Sequence, residues 1–315
     1  MIAVLWQFLQ IVLVVATAPL LTGYIRWVKA RLQGRRGPAP WQPYRDLYRL
    51  LQKEAIVAHS ASWLFRAAPY VTFGSVWLAA CIVPTFTTNM FLAPAADLIA
   101  LVALLAVGRF WTALAGMDVG TSFGGLGASR EMLIASLAEP AMLMVSFSLS
   151  LVSGTTQPAQ IIAFVLAGNV GIEVSLGLAL AAMVMVAIAE NGRIPIDNPA
   201  THLELTMVHE AMVLEYSGRH LAMIEAASMV RLTLFVALIA ALFAPWGMAQ
   251  PGAGPIGVLI GMAAFAAKGF ILATGLAFFE TMIAKMRVFR YADFLGGALL
   301  LGLLATIFLY VSEAV

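Results

Sequence analysis

Eight long apolar runs divide this chain, and about 20 consecutive apolar residues are what an α-helix needs to cross the hydrocarbon core of a bilayer. They lie at roughly Ala3–Leu21, Ala68–Phe86, Leu98–Met117, Met132–Val152, Gly171–Ala189, Leu221–Phe243, Ile256–Phe279 and Phe294–Val311. Backbone amides in lipid must find partners within their own segment or in a closed barrel, so runs of this length are expected to be helical. A hydrophobic content of 62% with 11% charged residues fits that environment. The expected fold is an all-α polytopic membrane protein with about eight transmembrane helices, a single integral membrane domain over residues 1–315.

The charges between the runs alternate. Half of the 18 lysines and arginines lie between Arg26 and Arg66, in the first connection. The third carries Arg130, the fifth Arg193 and Arg219, and the seventh Lys285, Arg287 and Arg290, while the three intervening connections carry none. By the positive-inside rule the basic connections, about 23–67, 118–131, 190–220 and 280–293, are cytoplasmic. Both termini are then outside. The first run begins almost at residue 1 without a charged leader or a small-residue cleavage site, so a retained helix is expected rather than a signal peptide.

Other signals exclude function classes. The single cysteine, Cys81, lies inside the second run and can neither form a disulfide within the chain nor hold an iron–sulfur cluster. No histidine pair sits at matching depth for a haem, and no G-x-x-x-x-G-K-[ST] loop is present to bind ATP phosphates. There is no H-E-x-x-H, so no metal or other cofactor is expected in this chain. A net charge of +2 concentrated on one face suits anionic headgroups of the lipid bilayer rather than nucleic acid.

The first connection holds a further element. Arg35-Arg36-Gly-Pro-Ala-Pro is a chain break, and Trp41 to Glu54 then reads as a short helix. Trp41, Tyr44, Leu47, Tyr48, Leu50 and Leu51 recur at helical spacing while Arg45, Asp46, Arg49 and Lys53 stay polar, the pattern of an amphipathic interfacial helix. It is either a headgroup-level anchor or the lining of a cavity entrance or partner dock.

Charges inside the runs cost at least about 2.5–3.5 kcal/mol each on insertion scales, so they face other helices or water. Arg109 in the third run and Glu139 in the fourth are both about 12 Å from the basic side at helical rise, where neighbouring antiparallel helices would pair them. Lys268 lies in the seventh run, Glu280 ends it, and Glu190 ends the fifth at the same inner level. A static Arg109–Glu139 salt bridge is one reading. The other is a protonation relay through Glu190, Glu280, Glu139 and Lys268, with burial and neighbouring charge bringing their pKa values toward neutrality.

The fifth connection, Glu190 to Arg219, is the densest polar region. Asn198 before Pro199, or alternatively a capping box from Thr201 to Glu204, starts a helix expected to place His202 and His209 on one face, with Glu204, Glu210 and Glu215 adding acids. Its apolar interleaving suggests a protonatable surface beneath a partner.

These residues carry a resemblance. Ala189-Glu-Asn-Gly-Arg-Ile-Pro-Ile-Asp197, followed by Glu204 and Glu215-Tyr-Ser, resembles the signature loop of the subunit 1 family of respiratory complex I, which includes formate hydrogenlyase subunit 4 and hydrogenase-4 component C. Arg36-Gly-Pro with Gln42, Asp46 and Lys53-Glu54 is similar to the family's first loop, and Gly127-Ala-Ser-Arg130 with Glu139 to its third-to-fourth span motif. The Gly116–Glu131 segment, Glu215-Tyr-Ser-Gly218 and the Lys268–Glu280 spacing are more similar to the hydrogenase branch.

The resemblance implies a membrane anchor and ion-translocation coupling subunit, non-catalytic alone, in an energy-converting [NiFe]-hydrogenase-type oxidoreductase complex. Implied partners are hydrogenase-like large and small subunits, an iron–sulfur protein and antiporter-like membrane subunits, with the [NiFe] centre and iron–sulfur clusters held by those partners. Asp197, Glu204 and Glu215 match coupling-loop positions, Arg130 and Glu139 the membrane relay. Arg35, Arg36, Trp41, Asp46 and Lys53 fall on the implied contact surface. The chain departs from complex I in carrying Ala200 and His202 where acids follow the Pro-x-Asp-x-Pro turn, and in a longer segment holding His209-Glu210. His202 and His209 are therefore expected to act in a variant switch. Two readings stand beside this one: a quinone-chamber subunit of a complex I-type NADH:quinone oxidoreductase, and a stand-alone carrier.

Overall fold

The computed structural model describes residues 2–168, 174–197, 208–286 and 290–314. Its elements are helices: α1 (Ile2–Leu32), α2 (Gln42–Gln52), α3 (Trp63–Ile82), α4 (Leu98–Asp118), α5 (Ser122–Ser153), α6 (Pro158–Leu166), α7 (Val174–Glu190), α8 (His209–Val213), α9 (Gly218–Phe243), α10 (Pro255–Met282) and α11 (Tyr291–Ala314). Seven of these are long and apolar enough to cross a membrane, and α7 is a shorter apolar helix. The chain is an all-α polytopic membrane protein, and the described part of each of the eight apolar runs lies mostly in a helix of its own.

The helices start where the sequence supplies partners for their free amides. Ser62 caps α3 at Leu64 N (3.1 Å), Asp97 caps α4 at Ile99 N (2.6 Å) and Thr121 caps α5 at Gly124 N (3.3 Å). Proline opens α6 and α10, where its missing N–H costs nothing, and Gly154 ends α5 in the left-handed region. Two helices outrun their apolar stretches. α1 continues eleven residues past Leu21, and α5 begins ten before Met132. Hydropathy reports where a helix leaves apolar surroundings; the hydrogen-bond ladder continues, and here the extra turns carry Lys29 and Glu131.

α9 is the most enclosed span, with 78% of its most apolar stretch buried, and it packs against α1, α3 and α10. α3 lies along α4, α4 along α5, and α11 closes the far side against α5 and α7. A core of Val76, Leu101, Met142, Val186, Phe235 and their neighbours joins these helices. At the end away from most basic residues, the non-helical segments after α3 and α9 interlock. Gln7 Nε2 donates to Cys81 O (2.9 Å) and Gln10 Nε2 to Val83 O (2.7 Å), while Ala249 N donates to Phe86 O (2.9 Å). The two buried glutamines supply the partners that unwound backbone at this depth requires. Gly261 of α10 permits the approach, since a Cβ there would lie 2.3 Å from Phe86 O.

α2 covers the segment expected to be an amphipathic helix. Pro43 is buried and Leu47 packs on the core, whereas Trp41, Tyr44, Tyr48 and Leu51 are exposed along one side.

Candidate functional site

Arg109 stands eleven residues into α4 and nine from its end at Asp118, so at about 1.5 Å per residue it is near mid-helix. It is 3% exposed and faces three carboxylates from two other helices. Its Nη2 contacts Glu190 at the end of α7, its Nε lies 3.3 Å from Glu131 Oε1, and its Nη1 lies 3.8 Å from Glu139 Oε1, both on α5. Nε and Nη1 are fully buried without an aligned hydrogen bond, so those contacts are ionic rather than directional. From α9, Arg231 is also buried and donates through Nη1 to the backbone carbonyl of Glu190 (3.2 Å). That carbonyl belongs to the negative end of α7, a favourable place for a cation.

Two arginines thus meet three acids inside the bundle. The pairing differs from the sequence expectation in two respects. Glu139 is the most distant of the three carboxylates, and Glu190, expected at the inner surface, reaches the depth of Arg109. α7 ends inside the protein because Asn191–Asp197 then runs along a polar cavity, where non-helical backbone is tolerated.

This cavity has a volume of about 520 Å³. Its walls include Glu131, Glu190, Glu225 and Arg231 from the helices and Arg193, Asp197 and His209 from the fifth connection, with Arg35 and Arg36 at its border. Three further ion pairs, centred on Glu280 and Asp197, surround it. Glu280 of α10 is 2.7 Å from Lys29 Nζ of α1 and 3.5 Å from Arg193 Nη1. Asp197 Oδ1 is 2.7 Å from Lys285 Nζ, and its Oδ2 accepts from Val208 N (3.3 Å). Burial, and next to it the charge of Arg231, hold the His209 imidazole below its usual pKa. It is therefore neutral at physiological pH.

Of the residues singled out from sequence, Arg109, Glu139 and Glu190 form one cluster, and Asp197, His209 and Glu280 stand around the same cavity. Lys268 does not join them. It lies about 18 Å farther along α10 than Glu280 at helical rise, and its ammonium donates to Ala244 O at the end of α9, a carbonyl that the finished helix leaves free. Arg130 is half-buried, and Glu215, Trp41, Lys53, Arg35 and Arg36 are exposed. Asp46 is half-buried and accepts from Gln42 Nε2 (2.9 Å). Glu204 and His202 lie outside the described residues, as does Asn198-Pro199. His209 opens α8, preceded by non-helical Val208 (φ −118°, ψ −80°), so the described backbone does not extend one helix back toward His202.

Sequence reasoning missed Arg231, Glu131, Glu225 and Lys29. Arg231 and Glu225 had a legible signal, since both interrupt the apolar run Leu221–Phe243 as Arg109 interrupts its own. Among the described residues no three or more His, Cys, Asp or Glu converge as a metal site. The arrangement suits charge transfer instead: acids at a wet cavity wall joined through a buried guanidinium to Glu139, whose side chain is one-third exposed on the flank of α5.

The family model described as NADH dehydrogenase matches residues 5–311. Hydrogenase-4 component C of Escherichia coli K12 is 36% identical over 247 residues, covering 78% of this chain and 77% of that protein. Formate hydrogenlyase subunit 4 of the same strain is 31% identical over 286 residues, covering 91% and 92%. The fold is also similar to a chain of an archaeal respiratory membrane complex, the membrane-bound sulfane sulfur reductase, with a TM-score of 0.80 at 20% identity, covering 96% of this chain and 98% of that one.

Proposed function

This chain belongs to the NADH dehydrogenase family, in the group formed by subunit 1 of complex I and its hydrogenase branch, and from that premise we propose that it is the membrane anchor and ion-translocation coupling subunit of an energy-converting [NiFe]-hydrogenase-type complex. The observation that carries the reading is the connection from the charged cavity to Glu139 through Arg109. A carboxylate at the cavity wall, Glu190 or Glu131, pairs with Arg109 until a proton or cation arrives from the cavity. Its neutralisation releases the guanidinium toward Glu139, passing a charge change sideways without carrying the arginine through the membrane.

In this proposal the cavity end is cytoplasmic and both termini are outside, in the inner membrane of a prokaryote. Hydrogenase-like large and small subunits and an iron–sulfur protein cover the first and fifth connections around the cavity mouth, and hold the [NiFe] centre and clusters. Antiporter-like subunits adjoin the flank that carries Glu139. The quinone-chamber reading is less favoured because Ala200 and His202 stand where acids follow the Pro-x-Asp-x-Pro turn in complex I.

The test is a purified complex in sealed vesicles with electron transfer and ion movement measured together. Glu190→Gln is expected to preserve electron transfer while lowering the ions moved per electron. Unchanged stoichiometry in both Glu190→Gln and Glu131→Gln would remove the coupling role.

A further inference from the structure

We propose that Arg66 and Arg219, backed by Tyr70 and His220, bind the phosphate headgroup of an anionic phospholipid on the flank of α3 and α9. The register of the two helices creates the pair. Tyr216 stacks on Phe65 with ring centroids 3.9 Å apart and planes 4° from parallel, and its hydroxyl donates to Phe65 O (2.9 Å). That lock, with the edge-on contact of Tyr70 and His220, brings the first turns of α3 and α9 together, so Arg66, one turn before Tyr70, and Arg219, next to His220, both border that contact. Both arginine side chains are exposed.

Neither arginine forms an ion pair among the described residues. Asp118, the acid beside the Tyr216 ring, is already engaged by Ser62 through N (2.8 Å) and Oγ (2.7 Å). Glu215 is exposed and paired with neither. Two adjacent cations left without a carboxylate repel each other until an anion sits between them, and a phosphate satisfies two guanidinium forks at once.

The surroundings identify the source of that phosphate. Tyr70 meets His220 edge-on at 5.8 Å and 87°, and Trp63, Tyr70 and Trp77 are all exposed along α3. Exposed tryptophan and tyrosine flanking a basic pair at a span end are what a headgroup region with acyl chains beneath it selects. An acidic protein surface would match the charges but would leave Trp77, nearer mid-span, without a role.

The experiment uses the delipidated membrane complex containing the full chain, with a photo-crosslinking amino acid in place of Tyr70. It is incubated with detergent-solubilised phosphatidylglycerol, phosphatidylcholine of the same acyl chains, or inorganic phosphate. Phosphatidylglycerol is expected to crosslink in preference to phosphatidylcholine, and R66Q/R219Q to weaken its binding roughly 30-fold, at about 1 kcal/mol per basic residue. R66K/R219K should keep most of it. Equal crosslinking of the two lipids, undiminished binding in R66Q/R219Q, competition by inorganic phosphate at lipid-equivalent concentration, or capture of another subunit would each overturn the proposal. Should R66Q/R219Q fail to accumulate, the comparison of headgroups on the parent protein decides alone.

Discussion

At the scale of single residues, the cluster is governed by desolvation. Arg109 is the cation that faces all three carboxylates, so Arg109→Gln leaves Glu131 and Glu190 buried beside a neutral group. Breaking a buried pair by removing one partner costs about 3–5 kcal/mol. A loss of that order is expected in the thermal stability of the detergent-solubilised protein, with partial recovery when Glu190→Gln is added. Arg109→Lys should rescue only in part, because a compact ammonium cannot address α5 and α7 together. Wild-type stability in Arg109→Gln would mean that the acids are not held by that charge. His209 gives a pH-dependent counterpart. The unfolded imidazole takes up a proton near its ordinary pKa of about 6.5, whereas the folded one, depressed by burial, does so only at lower pH. The unfolded state therefore binds more protons below that value, and stability falls as pH is lowered from 7 toward 5. His209→Gln is expected to flatten that part of the profile in melting curves.

At the scale of elements, the first and fifth connections behave as one body. Ile56 N donates to Ser217 Oγ (2.8 Å), and Ser217 Oγ donates to Ile56 O (2.9 Å), so one hydroxyl ties the two chains together. Next to it Gly218 has φ +52°, and a Cβ there would lie 2.4 Å from Glu54 O. Ser217→Ala should cost about 1 kcal/mol and accelerate amide exchange at Ile56, while Gly218→Ala should be worse for reasons of both conformation and space. Unchanged exchange at Ile56 in Ser217→Ala would show that the hydroxyl is not what holds the connections together. Such a tie was invisible in the sequence, where Ser217 appears only as part of a motif. What could be read was local: the period of α2, the caps at Ser62 and Asp97, and the apolar runs. What could not be read was set by neighbours. The extra turns of α1 and α5, the breadth of the Arg109 cluster and the diversion of Lys268 to Ala244 each depend on which helices lie side by side. A lone sequence carries no statement of that adjacency, although Arg231 and Glu225 did announce that α9 faces something polar.

At the scale of the whole molecule, the two ends are built differently, and the difference turns on α7. Its described residues, Val174–Glu190, rise about 26 Å of the roughly 30 Å hydrocarbon core. Its inner end stops at Arg109, well short of α4's end at Asp118, and Asn191–Asp197 then run along the cavity wall. If α7 counts as a crossing, five helices (α3, α4, α5, α7 and α9) separate Gln52 from Ala253, and these residues lie on opposite sides. If it re-enters without crossing, four separate them and they share a side. Both positions are exposed, and the native thiol, Cys81, is buried. In a Cys81→Ala background, a membrane-impermeant maleimide is expected to label Ala253→Cys only in right-side-out vesicles and Gln52→Cys only in inverted ones. Labelling of both from one face would deny α7 its crossing and with it the alternation of basic connections. It would also detach Glu190 from the mid-bundle depth on which the route from the cavity to Glu139 depends.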